Sequence, residues 1–354
     1  MTTRREVITK CGLGIAGIIA AGKAPATVVK SLLGVRGIAT GDEEEVETYV
    51  GSAFRVTIPQ SAIDNGGGSI SVGFQTFTRL SGYSSVSIDW GDGSEPIEAT
   101  STSNAVHIYT NAGSFVINIA EGCSQFRPNA TLRPYVVNAI CWGETVLSAD
   151  STYNGCSNLT GNIPKWGNAI VNATQTYFNC RQLIGCIPEW NSKITNAIGT
   201  YQQCYSLTGA IPAWGVSITN AWATYNNCRG LTGTVPEWTS KITNAYSTYA
   251  ECKGLTGTIP KWKSSITTAR ETYRGCSGLV GRIPKWGSSI TNAYSTYIGC
   301  RNLTGVWEED GEIPPPSSLM PSKITSYSNC VTDTTDSLRS YFYTTWGGTI
   351  TPPE

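Results

Sequence analysis

The sequence predicts a mixed fold, in which a β-sandwich precedes an α/β solenoid of 24-residue repeats with short parallel strands. Two observations predict it. Cysteine, tyrosine, leucine and isoleucine return every 24 positions through the second half of the chain, and short runs of alternating polar and apolar residues fill the part before it. A constant period of this length is typical of one small unit stacked on copies of itself. Alternation with period two between Gly and Ser clusters is typical of antiparallel strands.

The first segment, residues 1–41, has the layout of an export signal with a linker. Arg4 and Arg5 open it, an apolar run extends from Cys11 to Gly22, and Ala24-Pro25-Ala26 offers a small-residue cleavage site. The apolar run is too short to cross a bilayer, which takes about 20 residues. The paired arginines resemble a twin-arginine signal, which implies a bacterial protein exported to the cell surface or secreted. An N-terminal arm that is never cleaved is the alternative.

The next segment, residues 46–122, predicts the β-sandwich. Alternation appears in residues 54–58, 69–72 and 85–88, which read as short antiparallel strands. Residues 88–94, Ile-Asp-Trp-Gly-Asp-Gly-Ser, are followed by the stretch His107-Ile108-Tyr109 and then by Gly113-Ser114-Phe115-Val116. Together these segments resemble the PKD domain, an immunoglobulin-like sandwich. The resemblance implies a structural spacer without chemistry of its own, and it implies that His107 is a strand residue bonded near the Asp-Gly turn.

The unit from Ile242 to Trp262 shows what one repeat predicts. Ala245, Tyr249 and Cys252 are spaced as on one face of a helix, which would end at the following glycine. Thr258-Ile259 reads as a very short strand before a proline. Each repeat therefore predicts a helix, a turn, a short strand and a loop, and stability comes from stacking neighbouring repeats.

Rows of identical residues carry the interpretation of the core. The cysteine row predicts a ladder of buried thiols, because free cysteine behaves as a small hydrophobe. A metal site has less support, since the chain has one histidine and no C-x-x-C sequence. The asparagine row, from Asn172 to Asn292 with Thr268 in one copy, is interpreted as a capping or side-chain amide ladder. The cysteine row is Cys156, Cys180, Cys204, Cys228, Cys252, Cys276 and Cys300.

Positions that vary between repeats are the candidates for ligand contact. The residue after each ladder cysteine is often basic or aromatic. The tryptophan row leaves two interpretations open, packing in the core or rim and an exposed aromatic strip suited to sugars or peptides. The predicted contact surface is therefore Arg181, Tyr205, Arg229, Lys253 and Arg301, together with Trp190, Trp214, Trp238 and Trp262.

The repeat pattern T-Y-x-x-C-x-x-L-T-G-x-I-P-x-W, with I-T-N-A, resembles the BspA-type leucine-rich repeat surface proteins. Tyr stands where that family usually has Phe, and the Trp is an addition. The resemblance implies a surface or secreted protein, often an adhesin. Residues 123–150 are predicted to be a connector and N-terminal cap half-repeat, 151–306 the repeat solenoid, and 307–354 an irregular last repeat with a C-terminal cap.

Composition and motifs together favour a binding protein over an enzyme. The net charge is zero, which gives no overall basic excess for nucleic acid. No nucleophile elbow occurs, and no cofactor is predicted. We expect a non-enzymatic surface or secreted adhesion protein that presents its repeats to a protein or glycan ligand on a host or neighbouring cell. The alternative is a structural virion or appendage component with an uncleaved docking arm; the two are distinguished by the mass of the native N-terminus.

Overall fold

The computed structural model describes residues 49–306. The predicted export signal (1–41) and C-terminal cap (307–354) lie outside the described residues. The first part of the described chain holds eight strands and one short helix. They are β1 (Ser52–Ile58), α1 (Gln60–Asn65), β2 (Ile70–Arg79), β3 (Val86–Asp89), β4 (Ile97–Ala99), β5 (Val106–Tyr109), β6 (Gly113–Ile119), β7 (Cys123–Pro128) and β8 (Val136–Cys141).

These strands form two antiparallel sheets that share one core. The first sheet has the order β4-β3-β6-β1-β8 and the second the order β5-β2-β7. Across them, the ring of Phe54 in β1 lies 6.3 Å from that of Phe74 in β2 and 5.9 Å from that of Phe126 in β7. The alternating runs of the sequence lie in β1, β2 and β3. The short helix α1 was not predicted.

The second part of the described chain is a stack of 24-residue coils, so a β-rich repeat fold is confirmed. Consecutive coils pair in parallel twice. One pairing joins single residues 24 positions apart, such as Asn196 to Asn220 and Asn220 to Asn244. The other joins short strands, in the orders β11-β10-β9 and β12-β13. These strands are β9 (Gly209–Ala210), β10 (Leu231–Thr234), β11 (Leu255–Thr256), β12 (Gly281–Ile283) and β13 (Leu303–Val306).

The predicted repeat helix is wrong, since the described coils contain no helix. The stretch that carries Ala245, Tyr249 and Cys252 is a series of turns. Two of its residues, Ser247 and Glu251, have left-handed backbone, with φ of 52° and 63°. A left-handed residue breaks a right-handed helix. Ser247 and Glu251 are four residues apart, so the turns repeat every four residues. Buried side chains such as Ala245 and Tyr249 therefore have nearly the spacing of one face of a helix.

Backbone hydrogen bonds explain why the turns stack. Ala223, Tyr225 and Asn227 each donate a backbone N–H to a carbonyl of the next coil, at 2.8, 2.9 and 2.7 Å. The residues between them donate instead within the coil, as Thr224 does to the carbonyl of Ala221. Successive backbone N–H groups therefore donate in alternation to the same coil and to the next coil, so the buried backbone has its hydrogen-bond partners without a helix.

The core is continuous from the sheets into the coils. Phe54 of β1 lies 6.1 Å from Tyr153, and the rings of Trp142 and Trp166 stack at 6.0 Å. Beyond them, tyrosine and tryptophan columns run through the coils; Tyr177 and Tyr201, for example, stack at 5.6 Å with planes 2° apart. The coils consequently pack on the sheets through the same kind of ring contact that joins coil to coil.

Candidate functional site

An exposed row of stacked side chains runs along the coils, here named the aromatic row: Trp222, Tyr246, Arg270 and Tyr294. Trp222 is 44% exposed, and its ring stacks on that of Tyr246 at 5.8 Å with planes 7° apart. The guanidinium carbon of Arg270 lies 5.1 Å from the ring centroid of Tyr246 and 5.0 Å from that of Tyr294. Four successive coils thus contribute to one ordered strip.

The asparagine row positions these side chains. The Oδ1 of Asn220 accepts a hydrogen bond from the backbone N–H of Trp222 at 3.1 Å. Asn244 makes the same bond to Tyr246 at 3.0 Å. Such a bond from Asn to the backbone two residues on fixes a local turn. The predicted asparagine row is therefore present, but its side chains cap turns beneath the aromatic row and do not cap a helix.

The cation of the aromatic row is anchored within its own coil. Arg270 Nε lies 3.1 Å from Glu271 Oε1, and Arg274 Nη1 lies 3.8 Å from Glu271 Oε2. The hydrogen bond to Glu271 raises the pKa of the Arg270 guanidinium, so this side chain stays charged. The row thereby combines ring edges with one permanent cation. Trp, Tyr and Arg are the residues enriched at protein interfaces and their hot spots.

The basic residues predicted from the sequence form a second exposed feature, here named the basic ridge: Arg181, Tyr205, Arg229 and Lys253. The ring of Tyr205 lies between two guanidinium groups, with Arg181 Cζ 5.7 Å and Arg229 Cζ 5.3 Å from its centroid. Lys253 follows on the next coil, where its Nζ lies 3.6 Å from Glu251 Oε2. Arg301, also exposed, lies two coils beyond Lys253.

The tryptophans of the predicted contact surface lie in the core, which corrects that assignment. Their exposed fractions are 8%, 4%, 2% and 7% for Trp190, Trp214, Trp238 and Trp262. The indole of Trp190 donates its Nε1–H to the hydroxyl of Tyr225 at 3.1 Å, and the other three make the same bond to a tyrosine 35 residues on. The tryptophans are buried because each ring stacks on the tryptophans of both neighbouring coils, as Trp214 does on Trp190 and Trp238.

The cysteine row is buried, and its thiols are free. All seven side chains have an exposed fraction of 0%. The thiol of Cys228 donates to the carbonyl of Tyr201 at 2.9 Å, and those of the neighbouring coils repeat the contact. Burial raises the pKa of Cys156 and of Cys252 to about 12. Thiolate is the nucleophilic form, so these cysteines are structural groups.

The single histidine is engaged within the first part of the chain. His107 in β5 lies with Nε2 2.8 Å from Asp92 Oδ2, at the Asp-Gly turn, and its ring stacks on Trp90 at 5.1 Å. Asp92 also accepts hydrogen bonds from Ser94. Burial alone would raise the pKa of Asp92, but the bonds from Ser94 and His107 together lower it. The cluster is a packed structural contact around the turn.

Two functional features were missed from the sequence. The aromatic row lies two residues after Asn220, Asn244, Thr268 and Asn292. That position holds different residue types in different repeats, so it is not recognised as a row in the sequence. The zero net charge also hides a separation. Residues 151–306 hold thirteen Lys and Arg against four Glu, a net charge of +9, whereas residues 49–150 hold four Arg against eight Asp and Glu, a net charge of −4. Counting charge by segment would have shown this.

Residues 49–306 contain no cluster of three or more His, Cys, Asp or Glu side chains that could hold a metal ion. The same residues contain no helix that is long and apolar enough to span a membrane.

The chain has matches among protein families and among solved structures. Residues 147–262 and 195–306 match the family described as "Mycoplasma protein of unknown function, DUF285". Among solved structures, a leucine-rich repeat protein from Bacteroides ovatus is similar, with 12% sequence identity and a TM-score of 0.26, over 62% of this chain and 87% of that chain. A comparison with curated proteins finds no match. The family match covers the coils and stops short of the two antiparallel sheets.

Proposed function

We propose that this protein is a non-enzymatic binding protein, exported to the cell surface or secreted, whose coils dock a protein partner through the aromatic row. The observation that carries the proposal is the ordered, exposed stack of Trp222, Tyr246, Arg270 and Tyr294. These residue types concentrate binding energy in protein interfaces. The antiparallel sheets act in this proposal as a PKD-like spacer.

Preorganisation supports a binding role. An interface usually loses free energy when it immobilises long side chains, about 0.5–1.5 kcal/mol for each. Here the neighbouring coils already hold the Arg270 guanidinium between two rings. Asn220 and Asn244 fix the backbone beneath Trp222 and Tyr246. Much of the ordering is therefore complete before a partner arrives.

The geometry of the stack favours protein over sugar at this row. Sugars bind aromatic side chains through open ring faces. Tyr246 has Trp222 on one side and Arg270 on the other, so its ring faces are covered and its edge remains. Edges and hydroxyl groups suit the mixed apolar and polar contacts of a protein surface.

Catalysis has less support. The one histidine packs between Trp90 and Asp92, and the pKa values of the buried ladder thiols are raised. Binding alone accounts for the exposed features of the coils.

The test measures binding of the full chain to purified matrix proteins, mucins and glycans. We expect saturable binding to a protein ligand, and a loss of affinity of about tenfold or more for Trp222→Ser with Tyr246→Ser. The matched control is Val216→Ser, which removes another exposed apolar side chain, 63% exposed, outside the row. Silence toward all proteins, or equal loss in the control, would refute the proposal.

A further inference from the structure

The coils carry a concentration of positive charge of which the aromatic row uses only Arg270. Their net charge is +9, whereas residues 49–150, which include the antiparallel sheets, have a net charge of −4. A field of this sign attracts anionic partners and raises their association rate. Part of the charge is spread singly around the coils, but the basic ridge aligns three cations within four successive coils.

The arginines of the ridge are held in place before any ligand binds. Arg181 Nε donates to Asn179 Oδ1 at 2.7 Å, and Arg229 Nη2 donates to Asn227 Oδ1 at 3.3 Å. Asn179 and Asn227 are left-handed residues of the turn, with φ of 60° and 63°. Asparagine tolerates that conformation, and its short amide there reaches the side chain two positions on. Tyr205 orders both guanidinium planes from between them.

Ordered guanidinium groups match oxyanions. The planar group presents several N–H donors in one fork, which pairs with sulfate, phosphate or carboxylate oxygens in two parallel hydrogen bonds. The two guanidinium carbons lie 5.7 and 5.3 Å from one ring, so at most about 11 Å separates them. The ridge therefore offers three cations along the stack, with Arg181 and Arg229 two coils apart and Lys253 one coil further on.

The residues that follow the ridge residues in sequence, here named the polar row, indicate which class of polyanion fits the ridge. The residue after each ridge position is Gln182, Ser206, Gly230 or Gly254, and the flanking coils have Asn158 and Gly278 there. These are amides, a hydroxyl and open backbone, and they provide hydrogen-bonding groups with no apolar surface. A protein partner needs an apolar interface core, which this strip lacks. Sugar hydroxyls need donors and acceptors of this kind.

Single-stranded nucleic acid fits the ridge poorly. Its binding sites stack successive bases on open aromatic faces. Tyr205 is the aromatic residue of the ridge, and guanidinium groups already cover both of its faces.

We propose that the basic ridge binds an acidic polysaccharide, with Arg181, Arg229 and Lys253 on its sulfate or carboxylate groups and the neighbouring polar row on its hydroxyls. This surface and this ligand are separate from the protein partner proposed for the aromatic row. The chain would accordingly bind two chemically different ligands through two separate rows of the same coils.

The experiment measures binding of the full chain to heparin and to polygalacturonate, with uncharged dextran, polyglutamate and an oligo-dT strand as comparators. The test variant is Arg181→Gln with Arg229→Gln. The control is Lys193→Gln with Lys241→Gln, which removes the same charge from exposed lysines outside the ridge. We expect the test pair to weaken binding to the acidic polysaccharide about tenfold and the control pair to change it little. Unchanged thermal melting shows that both variants are folded.

Three outcomes would overturn the inference. One is absence of binding to either acidic polysaccharide. Another is equal weakening in the two variant pairs, which would mean that net charge alone acts. The last is equally tight binding of polyglutamate or oligo-dT that depends on the same arginines, which would assign the ridge to a protein or nucleic-acid ligand. The variants Trp222→Ser and Tyr246→Ser should leave polysaccharide binding intact, so this test and that of the aromatic row fail independently.

Discussion

Buried threonine hydroxyls should contribute measurably to joining the coils. Thr200, Thr224 and Thr248 are fully buried, and each lies within hydrogen-bond distance of an alanine carbonyl in the preceding coil, at 2.8, 2.7 and 2.8 Å. Each hydroxyl also lies within hydrogen-bond distance of an alanine carbonyl of its own coil, at 3.0, 3.0 and 2.9 Å, so its one proton is shared between two coils. Replacing all three by valine keeps the side-chain shape and removes both contacts. A net hydrogen bond contributes about 1 kcal/mol, so the triple variant should lose about 3 kcal/mol of unfolding free energy.

The exposed threonine row supplies the matched control. Thr195, Thr219 and Thr243 lie at the surface of the same three coils. Thr219 and Thr243 donate to the threonine carbonyl of the preceding coil at 3.2 Å, where water can replace the bond. Their triple replacement by valine should change stability by less than about 0.5 kcal/mol per site.

Urea unfolding followed by tryptophan fluorescence measures the difference, because the tryptophan column is buried in the same coils. With a slope of about 3 kcal/mol per molar urea, the buried triple should unfold at a midpoint about 1 M lower. Equal midpoints for the two triples would refute the idea that these hydroxyls hold coil to coil. A larger effect in the exposed triple would refute it as well.

Three further predictions follow from burial and charge. Leu231→Ala, in the centre of the array, should lower the unfolding free energy by about 2–5 kcal/mol through a core cavity, measured by the same urea titration. Alkylation of the native protein near pH 8 should modify the exposed Cys186 while Cys252 stays protected, as mass spectrometry of peptides would show, because burial raises the pKa of Cys252 to about 12. The pKa of Asp92 is lowered in the folded protein, so its carboxylate stabilises the fold above the ordinary carboxyl pKa, and this stability is lost as pH falls through the folded-state pKa. Asp92→Asn should therefore lose less thermal stability than the unsubstituted protein between about pH 5 and 2. An unchanged pH profile of the melting temperature would contradict this.

The two binding experiments test two sets of surface residues, of which the sequence predicted one and missed the other. The residue after each ladder cysteine was recognised as variable and exposed, so Arg181, Arg229 and Lys253 were predicted. That Tyr205 orders two of them could not be predicted, because ring contacts between coils depend on the offset of one coil over the next. Trp222 was not predicted, because the equivalent position in the other repeats holds aromatic, aliphatic, polar or basic residues.

By itself, the sequence determined the period of 24 and the rows that fill the core, because burial of apolar side chains requires them at matching places in every unit. It also indicated strands β1, β2 and β3 of the preceding sheets through their alternating residues. Only the tertiary structure decided the local backbone. Ala245, Tyr249 and Cys252 satisfy the spacing of a helix and also that of turns with left-handed residues at Ser247 and Glu251. The choice between them rests on where the backbone amides find acceptors, and here half of them find carbonyls in the neighbouring coil, which no single repeat contains.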